Sequence, residues 1–254
     1  SIVDLDNPNP TEINEKIRPF YWRTNKKDLN VPPAEDDNIF EIAPSKEQEQ
    51  LATIIHEVET NVLARYIRLL QASTNPALLT EKIDLNNLGF LFDEIDFSVE
   101  GALDSKEIAE AKQKTYFDLN VDSIKTPKFE KGLQLIRQLV SEGKKVLVWG
   151  MFVGTMRKIH QELNNAGIFS HLIYGATPKD DRVDLINEFR DGDVQVLISN
   201  PATLGESISL HQSVHDAVYF EYNFNLTFML QSRDRIHRLG LSADQYTRYY
   251  YLMS

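Results

Sequence analysis

Lys145-Val146-Leu147-Val148-Trp149 is the stretch on which the fold turns. It is short and nearly all apolar, as a strand covered on both faces must be. Around it the chain alternates. A helix is expected over 128–142 before it and another near 154–166 after it. His171-Leu172-Ile173-Tyr174 follows as a short strand, then a helix from about Pro178 to Arg190. Val194-Gln195-Val196-Leu197-Ile198 is the next strand. Beyond a loop come Ala217-Val218-Tyr219-Phe220-Glu221, a helix over the Arg235 region, and a closing strand from Arg248 to Leu252. Short apolar strands alternating with helices predict an α/β fold, a parallel sheet with helices on both faces. Such sheets bind ligands at the carboxyl ends of their strands, which singles out the loops after Trp149, Ile198 and Glu221.

Upstream the rhythm differs. Residues 1–11 are rich in Pro, Asn and Asp and read as an extended arm. A short helical stretch and basic residues fill Glu12 to Asn30, closed by Pro32-Pro33 and the acidic loop Glu35-Asp36-Asp37. Asn38 to Ala43 reads as a short strand. Ser45 to about Ser73 reads as one helix, capped by Ser45 and striped by Leu51, Ile54, Ile55, Val58, Val62, Ile67 and Leu70. Residues 74–124 are acidic and less regular, with a helix around 104–116. The expected division is therefore 1–33, a mainly helical acidic subdomain over 34–124, and the α/β lobe over 125–254.

The chain has 254 residues, 42 % hydrophobic and 26 % charged, ordinary for a globular protein. It lacks cysteine, so disulfides and thiolate metal sites are out, and a cytoplasmic setting is expected (nucleoid-associated if the source is prokaryotic). No apolar run approaches the roughly 18 residues that a membrane span requires, so no membrane partner is expected. Residues 1–120 hold 12 Lys+Arg against 23 Asp+Glu, so the whole surplus of −11 lies there and residues 121–254 are balanced. Bulk attraction to nucleic acid is not encoded; any such contact must come from a local groove.

One run carries chemistry: Gln231-Ser232-Arg233-Asp234-Arg235-Ile236-His237-Arg238-Leu239-Gly240. On a helix, Gln231, Arg235 and Arg238 share a face and converge on one target. Paired guanidinium forks suit a polyphosphate, since each donates several hydrogen bonds without losing its charge. A salt-bridged helix end, with Asp234 neutralising a neighbour, is the alternative.

The order of motifs resembles the C-terminal motor lobe of superfamily-two helicases of the Swi/Snf-like kind. The run is similar to that family's motif VI at Gln231, Asp234, Arg235, His237, Arg238 and Gly240, with Leu241 where the family usually has glutamine. Asn200 to Leu210 is similar to motif V, with Ser207 and Ser209 in place of the usual glycine and asparagine. Phe224-Asn225 stands where Trp-Asn is common. Lys145 to Phe152 resembles motif IV, with Gly150 for the usual serine, and Tyr174-Gly175 with Arg182 to Arg190 fits the segment between. Arg18-Pro19-Phe20, Arg23, Lys26-Lys27-Asp28 and Pro32-Pro33 look like the segment joining two motor lobes, and Asn75-Pro76-Ala77-Leu78-Leu79 like a further signature.

The resemblance implies a RecA-like lobe that completes an ATP site. Arg235 and Arg238 would be arginine fingers, Gln231 and Asp234 would order the site, and Gly205 and Glu206 would couple nucleotide to DNA. His237 is either a coupling residue or a packing histidine. Phe152, Thr155, Asn200 and Ser207, flanked by Lys179 and Arg182, would grip the backbone of double-stranded DNA. ATP and Mg2+ would be held mainly by an N-terminal lobe of the same polypeptide, with no metal site here. The chain has no P-loop: its one Gly-Lys pair, Gly143-Lys144, has no glycine five residues earlier. Phe90-Leu91-Phe92-Asp93-Glu94-Ile95-Asp96 imitates a magnesium box but lies on the wrong side of the joining segment and reads as a solvated acidic stretch. Alone, the chain is expected to be inactive. The competing reading is a non-catalytic RecA-like interaction or regulatory module.

Overall fold

Local signals start most elements where the chain needs them. A computed structural model describes residues 26–83, 106–204, 209–222 and 226–254. In chain order these form β1 (Asn38–Glu41), α1 (Lys46–Val58), α2 (Val62–Thr74), a 3-10 turn (Pro76–Thr80), α3 (Lys106–Asp118), a second 3-10 turn (Val121–Ser123) and α4 (Pro127–Ser141). Then follow β2 (Val146–Trp149), α5 (Val153–Asn165), β3 (Ser170–Ile173), α6 (Lys179–Asp191), β4 (Val196–Ser199), β5 (Asp216–Tyr219), α7 (Leu226–Arg233) and β6 (Arg248–Met253). α4 begins because the Thr126 side chain accepts from the Phe129 amide and Pro127 presets the first helical φ. Among the described residues no helix is long and apolar enough to cross a membrane.

All six strands are parallel, in the order β1-β6-β5-β2-β4-β3. Every residue of β2, β4 and β5 is buried, as their apolar composition requires. Successive side chains point to opposite faces. Val146 and Val148 of β2 pack with Phe129, Ile136 and Leu139 of α4 and Met156 and Ile159 of α5. Leu147 and Trp149 face the other way, onto Ile186 and Phe189 of α6 and onto Ile236. Each such side chain, fully buried, contributes about 1.5–3 kcal/mol. β1 extends the sheet beside β6, so the strand expected at Asn38 joins the lobe's sheet at its edge.

The helix expected as one piece from Ser45 to Ser73 is two. Ser45 does cap it, in a capping box with Gln48. The helix stops at Val58, and Asn61 starts α2 by accepting from the Ala64 amide. The break buries the Glu59 carboxylate, which takes Lys112 at 2.8 Å, the Tyr116 hydroxyl at 3.0 Å and Arg68 at 3.7 Å. Arg65 holds the Glu59 carbonyl with two donors. Leu51, Ile55, Ala72, Leu79, Tyr116 and Val121 form the core of this helical layer. Leu63, Ile67 and Leu78 meet Met151 and Phe152, which fastens the layer to the sheet's carboxyl edge.

Candidate functional site

β5, β2 and β4 are neighbours, so the loops after Tyr219, Trp149 and Ser199 lie side by side at one edge of the sheet. The ladder runs on past the strands: the Gly150 amide donates to Ser199 O and the Phe220 amide to Trp149 O, each at 3.0 Å. At Gly150, where the resemblance leads to serine, a Cβ would stand 2.6 Å from Met156 Cγ.

Glu221, which the sequence reading treated only as a strand end, organises this edge. Its buried carboxylate accepts from the Met151 and Phe152 amides at 3.0 Å and from the Thr155 hydroxyl at 2.8 Å. The Phe152 N-cap offers no side-chain acceptor, and Glu221, just past the neighbouring strand, instead holds the two amides ahead of α5 and the Thr155 hydroxyl in its first turn. Burial pushes the Glu221 carboxyl up, while the donated hydrogen bonds and the Lys128 ammonium pull it back. Lys128 is itself buried and held below its ordinary value by desolvation, with Glu221 opposing that. The signal for Glu221 was a lone carboxylate closing an apolar strand.

Phe152 and Thr155 are thus buried, Phe152 in the apolar seam and Thr155 on Glu221. Asn200 is buried too, its side chain accepting from the Thr203 amide to shape the turn 201–204. Lys179 is exposed at the start of α6. Arg182 reaches back to the Thr177 and Gly175 carbonyls at 2.8 and 2.9 Å and so braces the loop after β3. Gly205, Glu206, Ser207, Phe224, Asn225, the segment 1–25 and the acidic stretch 90–96 lie outside the described residues.

Beside this edge lies a groove of about 730 Å³ between α2, its 3-10 turn and α5. Arg157, Lys158 and Lys82, cations outside the site expected from the sequence, line it with Tyr174 and Asn75, and so do the carboxylates of Glu81, Asp122 and Glu162. Arg157 stacks on Tyr174 at 5.1 Å and donates to its hydroxyl at 2.9 Å. Lys158 donates to Asn75 at 3.3 Å, and burial holds its ammonium below its ordinary value.

The helix expected over the two arginines ends at Arg233, before either. Only Gln231 is helical; Arg235 sits in a turn and Arg238 in irregular chain beyond it. The reason is tertiary. Arg233 is clamped by Asp37 at 2.8 and 2.9 Å, by the Tyr251 hydroxyl at 2.7 Å, and over the Tyr249 ring at 3.8 Å. Ile236 is pulled into the core beneath the sheet, and the Leu210 amide donates to Arg235 O at 3.0 Å. Arg235 is 5 % exposed, and Arg238 is half-buried. Asp234 pairs with Lys26. His237 lies between Lys26 and Pro32, and burial with the Lys26 charge holds its imidazole below its ordinary value.

Gly240 closes the run at φ +104, where a Cβ would come within 2.9 Å of His211 Nε2. Gly240→Ala is therefore expected to destabilise the lobe by about 1–3 kcal/mol, from backbone strain in addition to the ring contact. Thermal unfolding checks this: at that cost, the midpoint falls by a few degrees for each kcal/mol, about 2–4 °C at this size. Leu241, where the family usually has glutamine, is buried. Among the described residues no three His, Asp or Glu side chains gather as metal ligands.

A parallel sheet whose carboxyl edge carries these loops, with a two-arginine run pinned beneath it, is a RecA-like lobe. Residues 127–240 match the helicase conserved C-terminal domain family. That match spans a little under half of the chain and contains the run with the two arginines. The described fold is similar to the C-terminal part of the Fun30 ATPase domain (TM-score 0.58, 16 % identity, 87 % of this chain and 85 % of that one). It is also similar to the Sulfolobus solfataricus SWI2/SNF2 ATPase core in complex with dsDNA (TM-score 0.56, 17 %, 96 % and 47 %). Among curated proteins it is 29 % identical over 123 residues to the Caenorhabditis elegans homolog of SWI/SNF-related matrix-associated actin-dependent regulator of chromatin subfamily A containing DEAD/H box 1. That match covers 46 % of this chain and 12 % of that protein. Helicase SWR1 of Saccharomyces cerevisiae is 27 % identical over 118 residues, 46 % of this chain and 8 % of that protein. The chain thus spans a small part of the curated relatives it matches.

Proposed function

We propose that this chain is the trans-acting half of an ATP site in a double-stranded DNA translocase. In the complete protein ATP sits between two lobes, and the other lobe supplies the P-loop, the magnesium site and the general base. Arg235 and Arg238 neutralise charge that develops on the transferring phosphoryl group, and Gln231 orients that site. Gly205 and Glu206 connect it to DNA. The backbone is gripped from the loops around Phe152, Thr155, Asn200 and Ser207, with Lys179 and Arg182 beside them. Since Thr155 and Asn200 are buried, their role is to shape those loops, and exposed charge comes from Arg157 in the neighbouring groove.

The observation that carries the reading is the fixing of the backbone at Arg235 beneath the sheet. The Leu210–Arg235 hydrogen bond and buried Ile236 set the path of that backbone, the preorganisation that charge stabilisation needs. A dsDNA complex among the similar structures supports the DNA half. The burial of Arg235 favours a second reading, a RecA-like lobe retained as a docking or regulatory module.

ATP turnover by the complete protein, with and without duplex DNA, separates the two. The translocase turns ATP over faster with duplex; turnover that is absent or indifferent to DNA overturns the proposal in favour of the module. The isolated chain is expected to hydrolyse no ATP in either condition, and activity in a pure sample would contradict the two-lobe site.

A further inference from the structure

Residues 26–37 lie against the run that carries the two arginines, and the contacts converge on His237. The Lys26 ammonium donates to His237 O at 2.7 Å, stands 3.3 Å from His237 Nδ1 and pairs with the Asp234 carboxylate. On the ring's far side, His237 Nε2 is 2.7 Å from Pro32 O. An ammonium has only donors and a carbonyl only accepts, so the tautomer follows: Nδ1 offers its lone pair to Lys26, and Nε2–H donates to Pro32. The turn that aims Lys26 is fixed by Val31 N and Leu29 N donating to Lys26 O, by the left-handed Asn30 (φ 54) and by buried Val31.

The energy of these contacts is small. The Lys26 and Asp234 side chains are 39 % and 53 % exposed, and pairs so exposed contribute little to stability. Their geometry is specific. Arg235 and Arg238 both leave the backbone between Asp234 and His237 or directly after it. Lys26 and Pro32 together hold the Asp234 carboxylate, the His237 carbonyl and both ring nitrogens, which ties that peptide to residues 26–32.

We infer that Lys26 and His237 are positioning residues: together they hold the backbone from which Arg235 and Arg238 project, and so set the rate of ATP hydrolysis. The inference rests on the ATPase reading above. It assigns to the segment ahead of the sheet a part in the chemistry and not only in joining domains.

The test uses the complete protein with duplex DNA. Lys26→Met and His237→Phe remove the contacts while keeping much of the side-chain volume; Lys27→Met, one exposed residue along, is the control. Each clamp variant is expected to lower kcat on the order of 10–100-fold, as small misplacements of catalytic groups do, with KM for ATP and the thermal midpoint unchanged. The double variant should be no worse than the poorer single one, because both remove one clamp. His237→Gln, with a donor and an acceptor at its tip, should recover most of the lost kcat. Unchanged kcat in both clamp variants, while Arg238→Ala abolishes turnover, overturns the clamp and leaves the ATPase reading intact. A loss of kcat matched by a fallen midpoint and not relieved by His237→Gln reduces the contacts to structural ones and overturns it too. If Arg238→Ala itself leaves turnover unchanged, the ATPase reading fails and the clamp falls with it.

Discussion

Arg238→Ala in the complete protein is expected to lower DNA-stimulated ATP turnover on the order of 10³–10⁵-fold while leaving duplex binding near its starting value. The size follows from the role. A guanidinium placed at the transferring phosphoryl group acts where charge develops in the transition state, so its removal costs rate and not ground-state affinity. Arg238 is the cleaner position because it is half-buried and near the surface, whereas Arg235 is 5 % exposed and its loss also disturbs packing. Arg235→Ala should therefore abolish turnover and lower the thermal midpoint, and Arg238→Ala should do only the first. Lysine should not rescue either position, since a point charge lacks the planar fork that binds two oxygens at once. Steady-state ATPase assays and duplex binding at one stated salt concentration decide this, because backbone contacts weaken steeply with salt. Turnover unchanged in Arg238→Ala would remove the arginine from the chemistry.

The α/β half of this chain was legible because its signals are local. Val146–Trp149, Val196–Ser199 and Asp216–Tyr219 are short, mostly apolar runs, and each is a buried parallel strand within two residues of its expected place. What sequence reading missed was decided by partners far along the chain. The break at Glu59 is held by Lys112 and Tyr116, more than fifty positions away. The end of α7 at Arg233 is held by Asp37, Tyr249 and Tyr251. Thr155 looked like a loop hydroxyl open to phosphate, yet it donates its hydrogen bond to Glu221, 66 positions on. Two of these had local hints. Asn61 is a ready helix cap inside the supposed long helix, and Glu221 is a carboxylate at the mouth of an apolar strand. The run from Gln231 to Gly240 was found by its motif, but the helical geometry first used to bring its side chains together does not hold beyond Arg233.

Glu59→Ala is expected to destabilise the helical layer by about 3–5 kcal/mol, the range for removing one partner of a buried ion pair. Glu59 is 2 % exposed and serves two cations and one hydroxyl at once. Deleting its carboxylate removes the anion that Lys112 and the buried Arg68 share and the acceptor that the Tyr116 hydroxyl uses. Glu59→Gln keeps an acceptor for Tyr116 and nearly the same shape but no charge. It should fall between wild type and alanine, which distinguishes a charge effect from a packing effect. Denaturant unfolding measures the cost; a change under about 1 kcal/mol for alanine would mean that water already screens the group and that the break in the helix is set by Asn61 alone. Amide exchange should localise the damage to α1, α2 and α3 before the sheet. The effect should also reach the functional edge. Leu63, Ile67 and Leu78 are the surface on which Met151 and Phe152 rest, so a loosened helical layer frees the loop whose amides Glu221 holds.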